Sequence, residues 1–246
     1  MNERFPNVAI LLAAYNGEKY IAEQLDSIIS QSGVKLTIFI SVDKCNDSTL
    51  AIVQDYESKY PEIFKTLPYG DSYGSAGQNF VRLLCEVDFS EFQYISFADQ
   101  DDIWLPNKLE VAIGKMIVQN VDGYSSNVIA FWKSGRTQLI KKDYKQVEFD
   151  YLFESPGPGC TFVLTKVLAN SIKSHLITKS DNLKDLWLHD WYCYSFARFN
   201  DFKWFIDSSS LMRYRQHDSN EVGANSGWKS FVSRLSIILS YQGFLK

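Results

Sequence analysis

The sequence lacks the features that mark several large classes of protein. Its four cysteines, Cys45, Cys85, Cys160 and Cys193, lie far apart and form no CxxC pair, which argues against a zinc site and against a disulfide framework. No uninterrupted run of about 18 apolar residues occurs, so no transmembrane helix is predicted. The N-terminus has no signal-peptide pattern. We therefore expect a cytoplasmic protein whose thiols are buried and reduced.

An excess of basic residues is also missing. The chain has 25 Lys and Arg against 29 Asp and Glu, a formal net charge of −4. Nucleic acid is not an expected partner, because binding its phosphates requires clustered positive charge. The 246 residues are 46% hydrophobic and 22% charged, which is typical of one globular domain and excludes disordered and low-complexity chains. Aromatic residues reach 15%, which indicates either a well-filled core or a stacking surface.

Short apolar runs alternate with helical patterns in the first half of the chain. Residues 8–14, 36–42 and 93–98 are predicted buried parallel strands, and 63–67 is a weaker one. Predicted helices cover residues 18–30, 50–60, 79–87 and 106–118. This alternation predicts an α/β sheet with right-handed crossovers. Ligands of such sheets bind beyond the carboxyl ends of the strands.

The second half of the chain is less regular. Strands are predicted at 128–133, 161–164 and 204–206, a helix at 188–199, and a polar, basic segment at 211–217. No repeat or flexible linker separates a second domain. Residues 228–246 show helical spacing of Trp228, Phe231, Val232, Leu235, Ile238 and Leu239 on one face. This amphipathic helix either packs on the domain or lies on a membrane or a partner, and both remain open.

Acidic residues follow two of the predicted strands. Asp99, Asp101 and Asp102 come directly after the strand at 93–98, and Asp99 and Asp101 point the same way if the chain stays extended. Two convergent carboxylates suit Mg²⁺ or Mn²⁺ bridged to a diphosphate, although acids are also favoured at a helix N-terminus. Asp43 follows the second strand, where it can accept a hydrogen bond from a pyrimidine imide or serve as a turn or cap.

Two clusters in the second half complete the set of candidate residues. Asp190 can act as a general base for an acceptor hydroxyl, or as a helix cap. Arg213, Arg215 and His217 share one face if the segment is extended. Guanidinium groups suit phosphate and imidazole suits a metal, whereas a solvated edge strand explains the same pattern without function.

Taken in order, these motifs resemble a known family. The segments 13–17 (AAYNG), 23–28 (EQLDSI) and 98–104 (ADQDDIW), with Asp43 between the last two, are similar to the inverting family 2 of nucleotide-sugar glycosyltransferases. The string DQDDIW, the segments 159–161 and 189–191, and 214–217 (YRQH) resemble its bacterial rhamnosyltransferase-like branch. The resemblance runs from about residue 8 to 223.

The resemblance implies a GT-A fold, which is a Rossmann-like mixed central sheet flanked by helices, here with a C-terminal helical segment. It implies one domain over 1–227, with a nucleotide-sugar-binding half at 1–118 and an acceptor-binding half at 119–227. The amphipathic helix at 228–246 follows.

Site residues are carried over from the same resemblance. The catalytic base is Asp190. The predicted residues are Ala13, Tyr15, Asn16, Asp43, Asp99, Gln100 and Arg215 for the nucleotide-sugar, Asp99, Asp101 and His217 for Mn²⁺ or Mg²⁺, and Trp104, Cys160, His189 and Trp191 for the acceptor.

The implied activity is inverting transfer of a sugar from dTDP-L-rhamnose or a UDP-sugar to a saccharide hydroxyl in bacterial cell-surface polysaccharide synthesis. The implied acceptor is linked to a polyprenyl diphosphate, with peripheral contact through 228–239 on the inner face of the plasma membrane. A homodimer is left open. One alternative is a sugar-nucleotide nucleotidyltransferase, which needs a Gly-rich basic loop after the first strand where 13–18 has AAYNGE. The other is a non-catalytic sugar-binding homologue.

Overall fold

The computed structural model describes residues 5–179 and 188–217. Within these ranges the elements are, in order, β1 (Asn7–Ala14), α1 (Ile21–Ile29), β2 (Lys35–Val42), α2 (Thr49–Lys59), β3 (Phe64–Thr66), α3 (Ala76–Glu86), β4 (Tyr94–Asp99), β5 (Ile103–Trp104), α4 (Lys108–Gln119), β6 (Gly123–Trp132), β7 (Thr137–Ile140), β8 (Val163–Thr165), α5 (Lys166–Thr178), α6 (His189–Phe199) and β9 (Trp204–Gln216). Two short 3₁₀ turns, Asp150–Leu152 and Gly159–Thr161, precede β8.

All the strands in the described ranges form one mixed sheet. Their order is β3, β2, β1, β4, β8, β6, β9, β5, and β7 pairs with β6. The first four of these strands are parallel, β8 is antiparallel to both β4 and β6, and β9 is parallel to β6. The expected α/β mixed sheet flanked by helices is confirmed.

The register of the parallel strands sets where their carboxyl ends meet. Ala14 of β1 pairs with Val42 of β2, and Ala13 pairs with Asp99 of β4. The residues that follow the three strands therefore emerge side by side at one edge of the sheet, as expected for a ligand site in this architecture.

Strand β1 is buried on both faces because helices cover both sides of a parallel sheet. Leu11 packs toward α3 together with Phe80, while Leu12 packs toward α1 together with Leu25. Each fully buried side chain of this kind contributes about 1.5–3 kcal/mol relative to an exposed one. The core thus holds rigid the strand whose end forms part of the site.

The structure differs from the prediction mainly in the second half. The segments expected at 204–206 and 211–217 form the single strand β9, and helix α5 was not predicted. The predicted helix 228–246 and the domain boundary at 227 lie outside the described residues, so the division into halves remains a prediction. In the part of the chain that the structure describes, no helix is both long enough and apolar enough to span a membrane.

Candidate active site

One glutamine joins the end of β1 to the acidic run 99–102, here called the carboxylate loop. The Tyr15 amide donates to Oε1 of Gln100 at 2.9 Å, and Nε2 of Gln100 donates to the Tyr15 carbonyl at 2.8 Å. A Cβ at Gly17 would lie 2.2 Å from Oε1 of Gln100, so the approach requires glycine. Gln100 was predicted to bind the nucleotide-sugar, but its amide is used within the chain. The ring of Tyr15 is 56% exposed and free to stack on a ligand.

Asn16 and Asp43 shape the neighbouring loops. Asn16 adopts the left-handed conformation that asparagine tolerates (φ 47°), and its Oδ1 accepts from the Asn46 amide at 3.0 Å. The buried carboxylate of Asp43 accepts from the amides of Tyr73 at 3.0 Å and Gly74 at 3.1 Å. Asp43 therefore holds the segment before α3 against the end of β2, and its contact with a nucleotide stays a prediction. Ala13 is buried and offers only its backbone at this edge.

The acidic run divides into two groups. Oδ2 of Asp101 lies 2.7 Å from Nε2 of His217, so these two side chains pair directly with each other, and their binding of a metal stays a prediction. Carboxylate oxygens of Asp99 and Asp102 and the thiol of Cys160 lie within 4.8 Å of one another. Asp102 was not among the predicted metal ligands. It is buried, and its Oδ2 has no hydrogen-bond partner within the described ranges. Burial raises the pKa of Asp102, as do the charges of Asp101 and Asp99.

Beneath this group lies a buried lysine that the sequence analysis missed. Nζ of Lys108 is 3.6 Å from the ring centroid of Trp104, and it finds no hydrogen-bond acceptor among the residues the structure describes. Burial lowers the pKa of Lys108 to about 7, although Cys160 and Asp102 act to raise it. Burial, together with the charges of Asp102 and Asp99, raises the pKa of the Cys160 thiol, which therefore stays protonated.

Two predicted acceptor residues are corrected by this burial. Trp104 is 2% exposed and Cys160 is 0% exposed, so neither side chain has a surface to offer a saccharide. Trp104 is enclosed because β5 pairs with β9 over it, and Cys160 because it lies in the 3₁₀ turn before β8. Both support the carboxylate loop from below.

The end of β9 packs against the edge of the sheet where β1, β2 and β4 end. This edge is called the donor edge below, because the nucleotide donor is expected there. The Arg215 amide donates to Oδ1 of Asp102 at 3.0 Å, and its Nε donates to the Asp101 carbonyl at 2.7 Å. The guanidinium of Arg215 also forms an ion pair with Glu23 and lies 4.7 Å from the ring of Tyr20. Glu23 belongs to the motif at 23–28 but was not predicted as a site residue. These contacts hold Arg215 against the acidic run, and its binding of the donor stays a prediction.

The predicted base lies in the first turn of α6. Oδ1 of Asp190 accepts from the Trp191 amide at 2.7 Å, and Oδ2 is 3.4 Å from the Ser155 hydroxyl. Burial raises the pKa of Asp190, while these two groups and the charge of Lys142 lower it in part. A general base works best when its pKa lies nearer the working pH than that of a free carboxylate, so the net upward shift suits the role.

Packing, more than hydrogen bonding, orients Asp190. A Cβ on Gly159 would lie 2.8 Å from Nε2 of His189 and 2.9 Å from Cβ of Asp190. His189 stacks on Phe80 with centroids 3.9 Å apart, and burial lowers its pKa to about 3, so the ring is neutral. Nε1 of Trp191 donates to the Tyr151 carbonyl at 2.7 Å. Both aromatic side chains are less than a tenth exposed and hold the helix on which Asp190 lies, and their contact with the acceptor stays a prediction.

Comparison with known proteins identifies the family. Residues 9–168 match Glycosyl transferase family 2. The dTDP-rhamnosyl transferase RfbG of Shigella flexneri is 45% identical over 227 residues, which cover 92% of this chain and 78% of that protein. The Escherichia coli UDP-Glc:alpha-D-GlcNAc-diphosphoundecaprenol beta-1,3-glucosyltransferase WfgD is 26% identical over 74% of this chain and 68% of its own length.

Solved structures show the same fold. Residues 1–349 of Staphylococcus aureus TarS in complex with UDP-GlcNAc align with a TM-score of 0.66 and 19% identity, over 94% of this chain and 65% of that one. The mannosyltransferase PcManGT of Pyrobaculum calidifontis, in complex with GDP-Man and Mn²⁺, aligns with a TM-score of 0.66 and 13% identity, over 98% of this chain and 64% of that one. The chain thus spans just under two thirds of these solved chains. It belongs to glycosyl transferase family 2 and is a glycosyltransferase that takes its sugar from a nucleotide donor.

Proposed function

We propose that the chain is an inverting rhamnosyltransferase that moves L-rhamnose from dTDP-L-rhamnose to a hydroxyl of a saccharide acceptor during synthesis of a bacterial surface polysaccharide. The observation that carries the mechanism is that Arg215 of β9 meets Asp101, two residues after Asp99 at the end of β4. Asp190 on α6 supplies a separate carboxylate with a raised pKa. The donor assignment is supported by the relative that is 45% identical and named a dTDP-rhamnosyl transferase.

The donor edge fits a divalent cation such as Mn²⁺ or Mg²⁺. Asp102 keeps a buried Oδ2 without a partner in the described part of the chain, within a group that includes the Asp99 carboxylate, so positive charge at this edge would offset two acids. Asp99, Asp101 and His217 are proposed to hold the ion, while the protonated thiol of Cys160 is a poor ligand for it. When bound, such an ion offsets the charge that grows on the leaving diphosphate.

The protein's own groups supply the remaining steps. The exposed ring of Tyr15 is proposed to stack on the nucleobase. Arg215, held at the acidic run by its bond to the Asp101 carbonyl, is proposed to bind the diphosphate. Asp190 removes the proton from the acceptor hydroxyl as that oxygen bonds to the anomeric carbon. The bond from the same carbon to the diphosphate oxygen breaks on the opposite face, and the proton stays on Asp190. One displacement of this kind inverts the configuration.

The acceptor is proposed to be a saccharide carried on a polyprenyl diphosphate. Support comes from the Escherichia coli relative, whose name specifies a GlcNAc-diphosphoundecaprenol acceptor. Peripheral membrane contact through 228–239 belongs to the same proposal. The test is liposome co-sedimentation of the full chain, with Trp228→Ser and Leu235→Ser introduced together. We expect less of the variant to pellet with the liposomes. Equal pelleting would remove membrane contact through 228–239 from the proposal.

The function is tested by thermal stabilisation with dTDP, UDP, GDP and CMP, each with and without Mn²⁺. Binding to the folded state alone adds about 2.7 kcal/mol at a hundredfold excess over Kd. We expect a Mn²⁺-dependent shift with dTDP, followed by turnover of dTDP-L-rhamnose with the synthetic acceptor GlcNAc-diphosphate-phenoxyundecyl. A shift with UDP alone would assign a UDP-sugar donor. No shift with any nucleotide would favour the non-catalytic sugar-binding alternative.

A further inference from the structure

The segment 144–153, here called the aromatic segment, exposes more apolar surface than its neighbours. Tyr144, Phe149 and Phe153 are 58%, 53% and 60% exposed, and Val147 is 61% exposed. Several large apolar side chains left in water within ten residues are unusual for a surface loop, and such groups mark binding sites.

Helix α6 holds this segment from behind. The guanidinium of Arg198 donates to Oδ1 of Asp150 at 2.7 Å and to the Val147 carbonyl at 3.1 Å. The hydroxyl of Tyr194 donates to Oδ2 of Asp150 at 3.0 Å. Ser195 and Trp191 both donate to the Tyr151 carbonyl, at 2.8 Å and 2.7 Å. The residues that make these bonds recur at helical spacing, so one face of α6 fixes the segment while its aromatic rings stay exposed.

The backbone of the segment is strained at one of these rings. Phe149 has a φ of 94°, a conformation that a bulky L-residue rarely adopts and that costs on the order of 1–3 kcal/mol. The following 3₁₀ turn is closed by the Leu152 amide, which donates to the Phe149 carbonyl at 3.1 Å. Phe149 and Phe153 therefore flank this short turn at its two ends. Strain of this kind persists where the surrounding contacts fix the backbone, and it concentrates at ligand-binding positions.

The aromatic segment is continuous with the catalytic base. Phe153 is two residues from Ser155, so their Cα atoms are at most about 7 Å apart. The hydroxyl of Ser155 is 3.4 Å from Oδ2 of Asp190. When one sugar ring of a saccharide presents its hydroxyl to Asp190, the neighbouring sugar ring can thus reach the aromatic segment.

Charge favours a saccharide over a lipid surface as the occupant. Residues 141–154 contain three lysines, Lys141, Lys142 and Lys145, against four acids, Asp143, Glu148, Asp150 and Glu154. An anionic bilayer attracts segments with a clear basic excess, which is missing here. The face of a pyranose ring, in contrast, presents C–H groups that pack on the electron-rich face of an aromatic ring.

We propose that Phe149 and Phe153 form an acceptor subsite that stacks on a sugar ring next to the one that receives the transferred sugar. This inference rests on the proposed function, because it requires a saccharide acceptor of at least two rings. It adds two specificity-determining residues to the reaction and places them on the segment before Ser155.

The test is saturation-transfer NMR of the full chain with three probes: methyl α-L-rhamnoside, N,N′-diacetylchitobiose and lactose. The variant carries Phe149→Ala and Phe153→Ala, and Phe199→Ala is the matched control because Phe199 is also an exposed aromatic, at 54%, in the last turn of α6. We expect a disaccharide to receive saturation from the unmodified chain and the control, and the signal to fall at least about fivefold in the double variant, the loss of roughly 1 kcal/mol that one aromatic stack contributes.

The nucleotide shift measured on the same three proteins separates this inference from the proposed function. A dTDP shift that is equal in all three, with the saccharide signal lost only in the double variant, supports the subsite. Equal saturation in the double variant, or no saturation by any probe in a chain that binds dTDP, would overturn it. Loss of co-sedimentation with phosphatidylglycerol vesicles in the double variant alone would assign the rings to a membrane and also overturn it.

Discussion

The donor edge and the base are positioned by different physical means. At the donor edge, directional hydrogen bonds fix Asp43, Gln100 and Arg215, each bonded to backbone groups of another segment. Asp190 instead has one good bond, to the neighbouring amide, and a long contact to Ser155, and it is oriented by the close packing of Gly159. The comparison teaches that losing one hydrogen bond should weaken donor binding gradually, whereas crowding should displace the base outright.

The largest effect is expected at the base itself. Asp190→Asn keeps the shape of the side chain but cannot accept a proton, so kcat should fall about 10²–10⁴-fold. The dTDP-dependent thermal shift should stay unchanged, because the donor edge is intact. Asp55→Asn, an exposed aspartate on α2, is the control and should retain activity. Transfer at the unmodified rate in Asp190→Asn would assign the base to another group.

Gly159→Ala tests positioning by packing. The added Cβ would approach Asp190 Cβ to 2.9 Å, and at this distance the carboxylate has to move. A misplacement on the order of 1 Å costs about 10²-fold in rate, so we expect kcat to fall by roughly that factor while donor binding is kept. Gly114→Ala on α4 is the matched control, since its Cβ would meet nothing within 4 Å. If both variants turn over alike, packing does not orient the base.

Gln100→Ala tests positioning by hydrogen bonds. It removes the two bonds to Tyr15, each worth about 0.5–1.5 kcal/mol, so the KM for the donor should rise about tenfold while kcat changes little. Gln54→Ala, at an exposed position on α2, controls for the loss of a glutamine. A fall in kcat with unchanged KM would place Gln100 in the chemical step. It would contradict the difference drawn above between the donor edge and the base.

The smallest effect on activity is expected from Lys108→Met. The pKa of Lys108 is about 7 when folded and about 10.4 when unfolded, so between these values the unfolded chain binds more protons. The free energy of unfolding of the unmodified chain therefore rises from pH 7 to pH 9. Below pH 7 the folded chain carries Lys108 as a buried cation, and the full cost of that burial lowers its stability. Lys108→Met removes this pH dependence.

Urea unfolding at pH 7 and pH 9 measures the difference. The variant should be more stable than the unmodified chain at pH 7, by about 1–3 kcal/mol, and its advantage should shrink at pH 9. Lys115→Met, at an exposed position on the same helix, should leave the pH dependence unchanged. A variant that is less stable at both pH values would show that Lys108 makes a net favourable interaction with Asp102.

The sequence predicts the fold of the first half of the chain better than that of the second half for a physical reason. Strands β1 and β4 are buried on both faces and β2 is buried toward its carboxyl end, and continuous apolar runs that end in polar residues identify such strands directly. Strand β9 alternates between core and polar contacts, and its middle, DSSS at 207–210, interrupts the apolar pattern. The sequence therefore predicts a strand only at 204–206 and a polar, basic segment at 211–217. Helix α5 was missed because its apolar residues alternate with polar ones over only 13 residues.

The same contrast holds for site residues. Asp43, Asp99, Asp101 and Asp190 stand where their sequence context indicated, at strand ends or at a helix start. Glu23 and Lys108 each lie on a helix, where a charged residue ordinarily faces water. Only the tertiary fold shows that Lys108 is buried and that Glu23 meets Arg215. The burial of Trp104 and Cys160 is likewise visible only in the tertiary fold.

Strand β9 has a consequence for how the enzyme is made. The ion pair between Arg215 and Glu23 joins positions 192 residues apart, and β9 pairs with both β5 and β6. Contacts of such high sequence separation form late, because a long loop must close first. During synthesis, β1, β2 and β4 leave the ribosome long before β9, so the donor edge is first assembled without Arg215 and His217. If Arg215 and His217 have the roles proposed above, the chain is expected to become active only after β9 has docked.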